Sequence, residues 1–181
     1  MPAYLRGVAT MLPRVNAKVG TYLTREIDRY LFKLNQKPNT RHTHCIHPSE
    51  FSTTECDRRI AYGIVGQEER QAIPPYLRRI FDVGHAFHDT IQGALHVALG
   101  ENFRSEIPFH TTGLMFRGSC DGAIDKLALE IKSINDKGHG KLRKPKPDHR
   151  EQGTLYAVDL FLDSIAFVYA NKEIGVISTF V

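Results

Sequence analysis

The chain has 181 residues, 41% of them hydrophobic and 24% charged, with a formal net charge of +4 and a sequence pI near 9.0. That length is enough for one domain with a sizeable core, and the mild basic excess permits a polyanionic partner without requiring one. No run approaches a membrane span and no compact apolar stretch near the N-terminus resembles a secretory signal, so no membrane partner is expected and the expected location is cytoplasmic. Cys45, Cys56 and Cys120 form no even disulfide framework and suit a reducing compartment.

The first acidic residue is Glu26, and the acid-free stretch before it, with Pro2 and Pro13, reads as an irregular basic arm. Tyr22, Leu23, Ile27, Tyr30, Leu31 and Leu34 recur at helical spacing and predict a helix over 21–35, followed by a polar stretch from Asn35 to His47. Ser52-Thr53-Thr54-Glu55 has the form of a capping box, with Ser49 an equally good start, for a helix carrying Cys56, Arg58, Arg59 and Tyr62. Cys56 is expected to be buried on it. Pro74-Pro75 opens the longest periodic segment, whose stripe of Tyr76, Leu77, Ile80, Phe81, Gly84, Phe87, His88, Ile91, Leu95 and Leu99 stops at Gly100. A lone histidine on such a stripe is usually a core residue with a hydrogen-bond partner, and only its neighbours would make His88 a ligand.

Phe103, Ser105, Ile107 and Phe109 alternate as a strand, and Thr111-Thr112-Gly113 turns the chain into a second, Leu114 to Ile124. A third runs on to Ile134. Asn135 to Pro147 reads as a basic loop whose Lys137, Lys141, Arg143, Lys144 and Lys146 form a candidate phosphate-contacting strip, with Arg58 and Arg59 as secondary candidates. A helix over 148–161 places Gln152 and Tyr156 on one face, and two strands around Asn171-Lys172 close the chain.

The residues with most chemistry lie on the central hairpin. In Leu127-Ala128-Leu129-Glu130-Ile131-Lys132, alternation puts Glu130 and Lys132 on one face. A turn at Asp125-Lys126 sets Ile124 opposite Leu127 and therefore Asp121 opposite Glu130. Directly opposed Cβ atoms lie roughly 4.5–5.5 Å apart, and like charges at that separation destabilise a sheet unless something positive sits between them. A divalent cation is the simplest remedy, although a solvated edge strand would also carry such residues.

Four motifs in order, Gly84-His85-Ala86-Phe87-His88, Gly118-Ser119-Cys120-Asp121, Glu130-Ile131-Lys132 and Gln152-Gly153-Thr154-Leu155-Tyr156, resemble the series of the PD-(D/E)xK nuclease superfamily, in its RecB-like exonuclease branch. Pro48-Ser49-Glu50-Phe51, continuing to Cys56-Asp57-Arg58-Arg59, resembles the first helix of that branch. The resemblance implies an α/β, restriction-endonuclease-like core with a mixed sheet flanked by helices over 47–181, preceded by the basic arm and helix over 1–46. It also implies Mg²⁺ or Mn²⁺ dependence and hydrolysis of DNA phosphodiesters in recombination, repair or phage DNA metabolism. By motif position His88, Asp121, Glu130 and the Ile131 carbonyl would hold metal and Lys132 would be the catalytic lysine. Gln152 and Tyr156 would orient DNA or the lysine, and Glu106 is a candidate for a further, water-mediated carboxylate.

Three readings stay open: an exonuclease, a structure-selective or nicking endonuclease, and a DNA-binding or assembly protein with a weakly active fold. A homo-oligomer or a recombination or replication partner is compatible with each. Some relatives use cysteines after the core for an iron–sulphur cluster, and this chain has none after Cys120. His42, His44, Cys45, His47 and Cys56 are of zinc-binding types, but their spacing matches no ordered zinc module.

Overall fold

The computed structural model describes residues 13–35 (side chains from 21), 44–50, 56–65, 73–111 and 115–181. The capping box, His42, the Thr112-Gly113 turn and residues 1–12 of the basic arm lie outside these residues, and from Pro13 on the arm expected to be irregular is helical. The chain divides into two compact units, Met1–Asn39 with Gln71–Ile80, and Thr40–Arg70 with Phe81–Val181. The first unit holds helix α1, Pro13–Asn35. It begins eight residues before the periodicity predicts, because a proline at the first helical position loses no hydrogen bond and already has helical φ. Within that unit Arg79 pairs with Asp28, and Arg29 with Glu26 at 2.8 Å. Among the described residues no helix is long and apolar enough to cross a membrane.

The second unit is a mixed sheet flanked by helices. Its elements are a 3₁₀ turn at Pro48–Glu50, α2 at Asp57–Ile64, the greater part of α3 (Pro75–Leu99), a 3₁₀ turn at Gly100–Asn102, and strands β1 (Phe103–Thr111), β2 (Phe116–Ile124) and β3 (Leu127–Ile134). The short α4 (Asp136–Gly140), α5 (Pro147–Asp159), β4 (Ser164–Asn171) and β5 (Ile177–Phe180) complete it. The five strands lie in sequence order, antiparallel except for the parallel pair β3/β4. That pair is covered on both faces, as parallel strands require. Ile91 of α3 joins Phe103, Leu129, Ile131 and Val168 on one side. On the other, Tyr156 of α5 joins Phe109, Phe116, Cys120 and Ala128. Gly153 lets α5 approach closely, since a Cβ there would lie 3.0 Å from the Phe167 ring.

Two expectations fail at β1 and α2. Phe103 belongs to the α3-side core whereas Ile107 and Phe109 lie on the α5 side, so the alternation inverts within β1. The inversion falls at Glu106, whose φ of 49° is in the left-handed region. There the β1/β2 ladder skips one pair, resuming with Ile107↔Cys120 after Ser105↔Gly122. Cys56 is exposed at the N-cap of α2, a helix with no buried residue, and so does not serve as a core thiol. The basic stretch after β3 is also not all loop. Asn135 caps α4, its side-chain oxygen accepting the Gly138 N–H at 2.8 Å.

Candidate active site

The predicted hairpin register holds, with Ile124 opposite Leu127, Ala123 opposite Ala128 and Gly122 opposite Leu129. The ladder stops there, one pair before Asp121 and Glu130. The direct pairing expected of these two is therefore replaced by a side-chain contact, in which Asp121 Oδ2 accepts the Ile131 N–H at 2.6 Å. A carboxylate has replaced a backbone carbonyl as the acceptor, which fixes Asp121 beside Glu130 without completing the strand pair.

Glu130 is 1% exposed, and its Oε2 has no hydrogen-bond partner. Lys132 Nζ lies 2.5 Å from Oε1, a close charge-assisted contact. Burial, then the charge of Asp121, raises the Glu130 carboxyl from its ordinary 4.5 to about 7 against the opposing pull of Lys132 and His88. Nζ of Lys132 also donates to Gln152 Oε1 at 3.0 Å, and Gln152 Nε2 donates to the Tyr156 hydroxyl. The i, i+4 pair thus shares a face, as its spacing predicts, and forms a hydrogen-bonded chain to the lysine. Tyr156 is 3% exposed with its ring edge against Phe109 at 5.2 Å, so it cannot stack on a base. Loss of its hydroxyl leaves Gln152 Nε2 without that acceptor. Tyr156→Phe should accordingly cost about 1–2 kcal/mol in a denaturant melt.

His88 Nδ1 lies 3.6 Å from Asp121 Oδ1, an ion-pair separation too long for a good hydrogen bond. Burial acts to lower its pKa, but Asp121 outweighs burial and the net shift is upward. The resemblance did not point to Gln92, which lies one helical turn after His88. Its Nε2 donates to the Asp121 main-chain oxygen and to Glu106 Oε1, each at 2.8 Å. Ser119 Oγ donates to the other Glu106 oxygen at 3.0 Å. Among the described residues no three His, Cys, Asp or Glu side chains are already gathered closely enough to hold an ion. Of the three expected ligands, His88 lies 3.6 Å from Asp121 Oδ1, Asp121 Oδ2 accepts the Ile131 N–H, and Glu130 Oε1 faces Lys132. Cys120 is not a rival nucleophile, because burial pushes its thiol up to about 11. In the possible zinc cluster, His44 Nδ1 meets Ile64 O at 2.7 Å and Cys45 Sγ lies 3.7 Å from His47 Nε2.

His149, also missed, sits near Lys132 on α5. Its ring stacks on Tyr169 at 5.5 Å with Nδ1 2.8 Å from the phenol oxygen, which accepts the Lys146 N–H at 3.0 Å. The imidazole and the phenol are thus joined by a hydrogen bond that the Lys146 N–H extends. Burial, followed by the charge of Lys132, lowers His149 from 6.5 to about 4. A depressed folded-state pKa gives stability that is present above 6.5 and lost as pH falls toward 4, on the order of 3 kcal/mol in all. His149→Phe should therefore lose less stability than wild type between pH 6.5 and 4.5 in thermal melts, and parallel curves would contradict this.

The basic candidates Lys137, Lys141, Arg143, Lys144 and Lys146 are all exposed on the segment between β3 and α5, as are Arg58 and Arg59 on α2. Arg143 is partly committed, donating to the carbonyls of Gly140 at 3.0 Å and Leu142 at 3.1 Å.

No family model matches the chain, and neither does any curated protein. Solved structures do match. An alkaline exonuclease from Laribacter hongkongensis, LHK-Exo, superposes with a TM-score of 0.55 at 18% identity, over 83% of this chain and 80% of that one. The two share a fold. The same exonuclease in complex with dAMP matches at TM-score 0.55 and 18% identity, over 84% of this chain and 81% of that one. A structure described as SSO0001 matches at 0.53 and 16%, over 87% and 76%. At these identities the likeness establishes the fold alone, and the chemistry rests on the residues themselves.

Proposed function

We propose that the chain is a metal-dependent DNA exonuclease of the RecB-like type, acting in recombination, repair or phage DNA metabolism. The observation that carries this reading is Glu130, a buried carboxylate with one oxygen against the Lys132 ammonium and the other without a hydrogen-bond partner, beside Asp121 at the end of the hairpin. A buried charge in that condition is costly, and a divalent cation is the partner that its oxygens suit. His88, Asp121, Glu130 and the Ile131 carbonyl are the residues that would hold it. Bound there, Mg²⁺ or Mn²⁺ would polarise the phosphate and lower the pKa of an attacking water.

The chain's own contribution is positional. Gln152 and Glu130 hold the Lys132 ammonium from two sides, so that it is fixed where negative charge develops on the phosphate. Tyr156 holds Gln152 in turn. The exposed lysines of the β3–α5 segment supply backbone contacts that carry no sequence information. The complex of the structural neighbour with dAMP supports a DNA substrate.

Incubation with linear and covalently closed DNA in Mg²⁺, Mn²⁺ or EDTA tests the proposal. Degradation of the linear form alone, abolished by EDTA, is the expected result. Nicking of closed circles would make it an endonuclease, and binding without cleavage under every condition would remove the enzyme.

A further inference from the structure

We propose that Gln92 is a positioning residue for the metal-binding carboxylate Asp121, an inference that rests on the metal-dependent reading above. Asp121 occupies a break in two ladders. The β1/β2 ladder skips Asp121, and the β2/β3 ladder ends at Gly122. Its main-chain carbonyl is therefore free of strand pairing, and Gln92 supplies the donor at 2.8 Å. Gln92 is itself 8% exposed, and both of its described bonds run from the same amide nitrogen to oxygen acceptors. Such a nitrogen has two hydrogens, so the pair of bonds uses its full donor capacity.

The second bond explains Glu106. Its left-handed backbone is unfavourable for a residue with a side chain, and strain of this kind persists only where the surroundings fix it. Gln92 and Ser119 fix it, one on each carboxylate oxygen. Helix α3 is thus tied to β1 and β2 at one point, four residues after His88. One turn of helix carries a side chain that meets the Asp121 carboxylate and another that meets its carbonyl. The clamp sets where Asp121 lies relative to His88, and through the Asp121–Ile131 bond, relative to Glu130.

Partners that orient a ligating group typically change metal affinity by 10–100-fold when removed. Gln92→Leu preserves size and removes both donors. Calorimetric titration of the protein with Mn²⁺ alone, without DNA, should show its dissociation constant rise at least about tenfold relative to wild type. Glu106→Gln retains an acceptor for Gln92 and should weaken Mn²⁺ binding less than Glu106→Ala does. Glu106→Ala, an exposed substitution that keeps the core intact, should shift affinity in the same direction as Gln92→Leu by a smaller factor. A merely structural Gln92 would instead lower the melting temperature in EDTA while leaving the Mn²⁺ affinity of the folded protein unchanged, which would overturn the inference. If wild type binds Mn²⁺ and both Gln92→Leu and Glu106→Ala match it, the positioning role alone is wrong. If wild type binds no Mn²⁺, the metal-dependent reading falls and this inference with it.

Discussion

Glu130→Gln is expected to abolish DNA cleavage and, in metal-free buffer at pH 8, to raise the melting temperature of the protein. The two effects have one cause. In the folded chain the carboxyl is raised from 4.5 to about 7 by burial and by Asp121. A raised folded-state pKa contributes stability that is present below the unfolded value of 4.5 and lost as pH rises through 7. At pH 8 the buried, ionised carboxylate therefore opposes folding, by an amount on the order of 3 kcal/mol. The amide removes that charge at nearly the same volume. Thermal melts in EDTA should show the variant above wild type at pH 8 and no better than wild type at pH 4.5. Added Mn²⁺ should stabilise wild type and leave the variant unmoved, because a ligand stabilises only the state that binds it. A variant that melts lower than wild type at pH 8 would mean that Glu130 is satisfied within the chain. This pH dependence has the opposite sign to that of His149, so single variants rather than the wild-type curve separate the two.

Lys132→Ala is expected to have the second large effect, loss of cleavage with retention of metal binding. Removing one fixed donor that stabilises developing charge typically costs 10²–10³ in turnover, and a similar loss, roughly a hundredfold or more, is expected here. Metal affinity should persist, since the ammonium competes with a cation for Glu130 rather than assisting it. The same substitution takes away the charge that holds the Glu130 pKa down, so the metal-free variant should be less stable than wild type at pH 8. Single-turnover cleavage and Mn²⁺ calorimetry on one preparation distinguish these outcomes. Near-normal turnover would remove the lysine from the chemistry, and lost metal binding would make it a structural support of the ligand set.

Much of this site was legible because strand and helix periods are local. Alternation alone puts Glu130 and Lys132 on one face, the turn at Asp125-Lys126 sets the register, and an i, i+4 spacing joins Gln152 to Tyr156. What was not legible depends on contacts between distant segments. Glu106 inverts β1 through a left-handed backbone that no residue preference signals, and with it the ladder pairing of Asp121 is lost. His149 is buried by Tyr169, which comes from the strand parallel to β3, some twenty residues away. Gln92 was within reach of the reading, since it lies one turn from His88, but its partners are a backbone carbonyl and a carboxylate that only the fold brings to it. Tyr156 was open between base stacking and core, and its burial decides for the core.

The central claim, that Glu130 is a cation ligand held ready by its burial, is tested most directly by Mn²⁺ calorimetry at pH 7 in buffers of different ionisation enthalpy. A carboxyl with a pKa of about 7 is half protonated at that pH, and ligation must displace the proton. Wild type should release roughly half a proton from Glu130 on binding Mn²⁺, with any proton from His88 added to it. Glu130→Gln should bind far more weakly and lose that share of the release. Binding by the Gln variant with wild-type affinity and the same proton release would contradict the account.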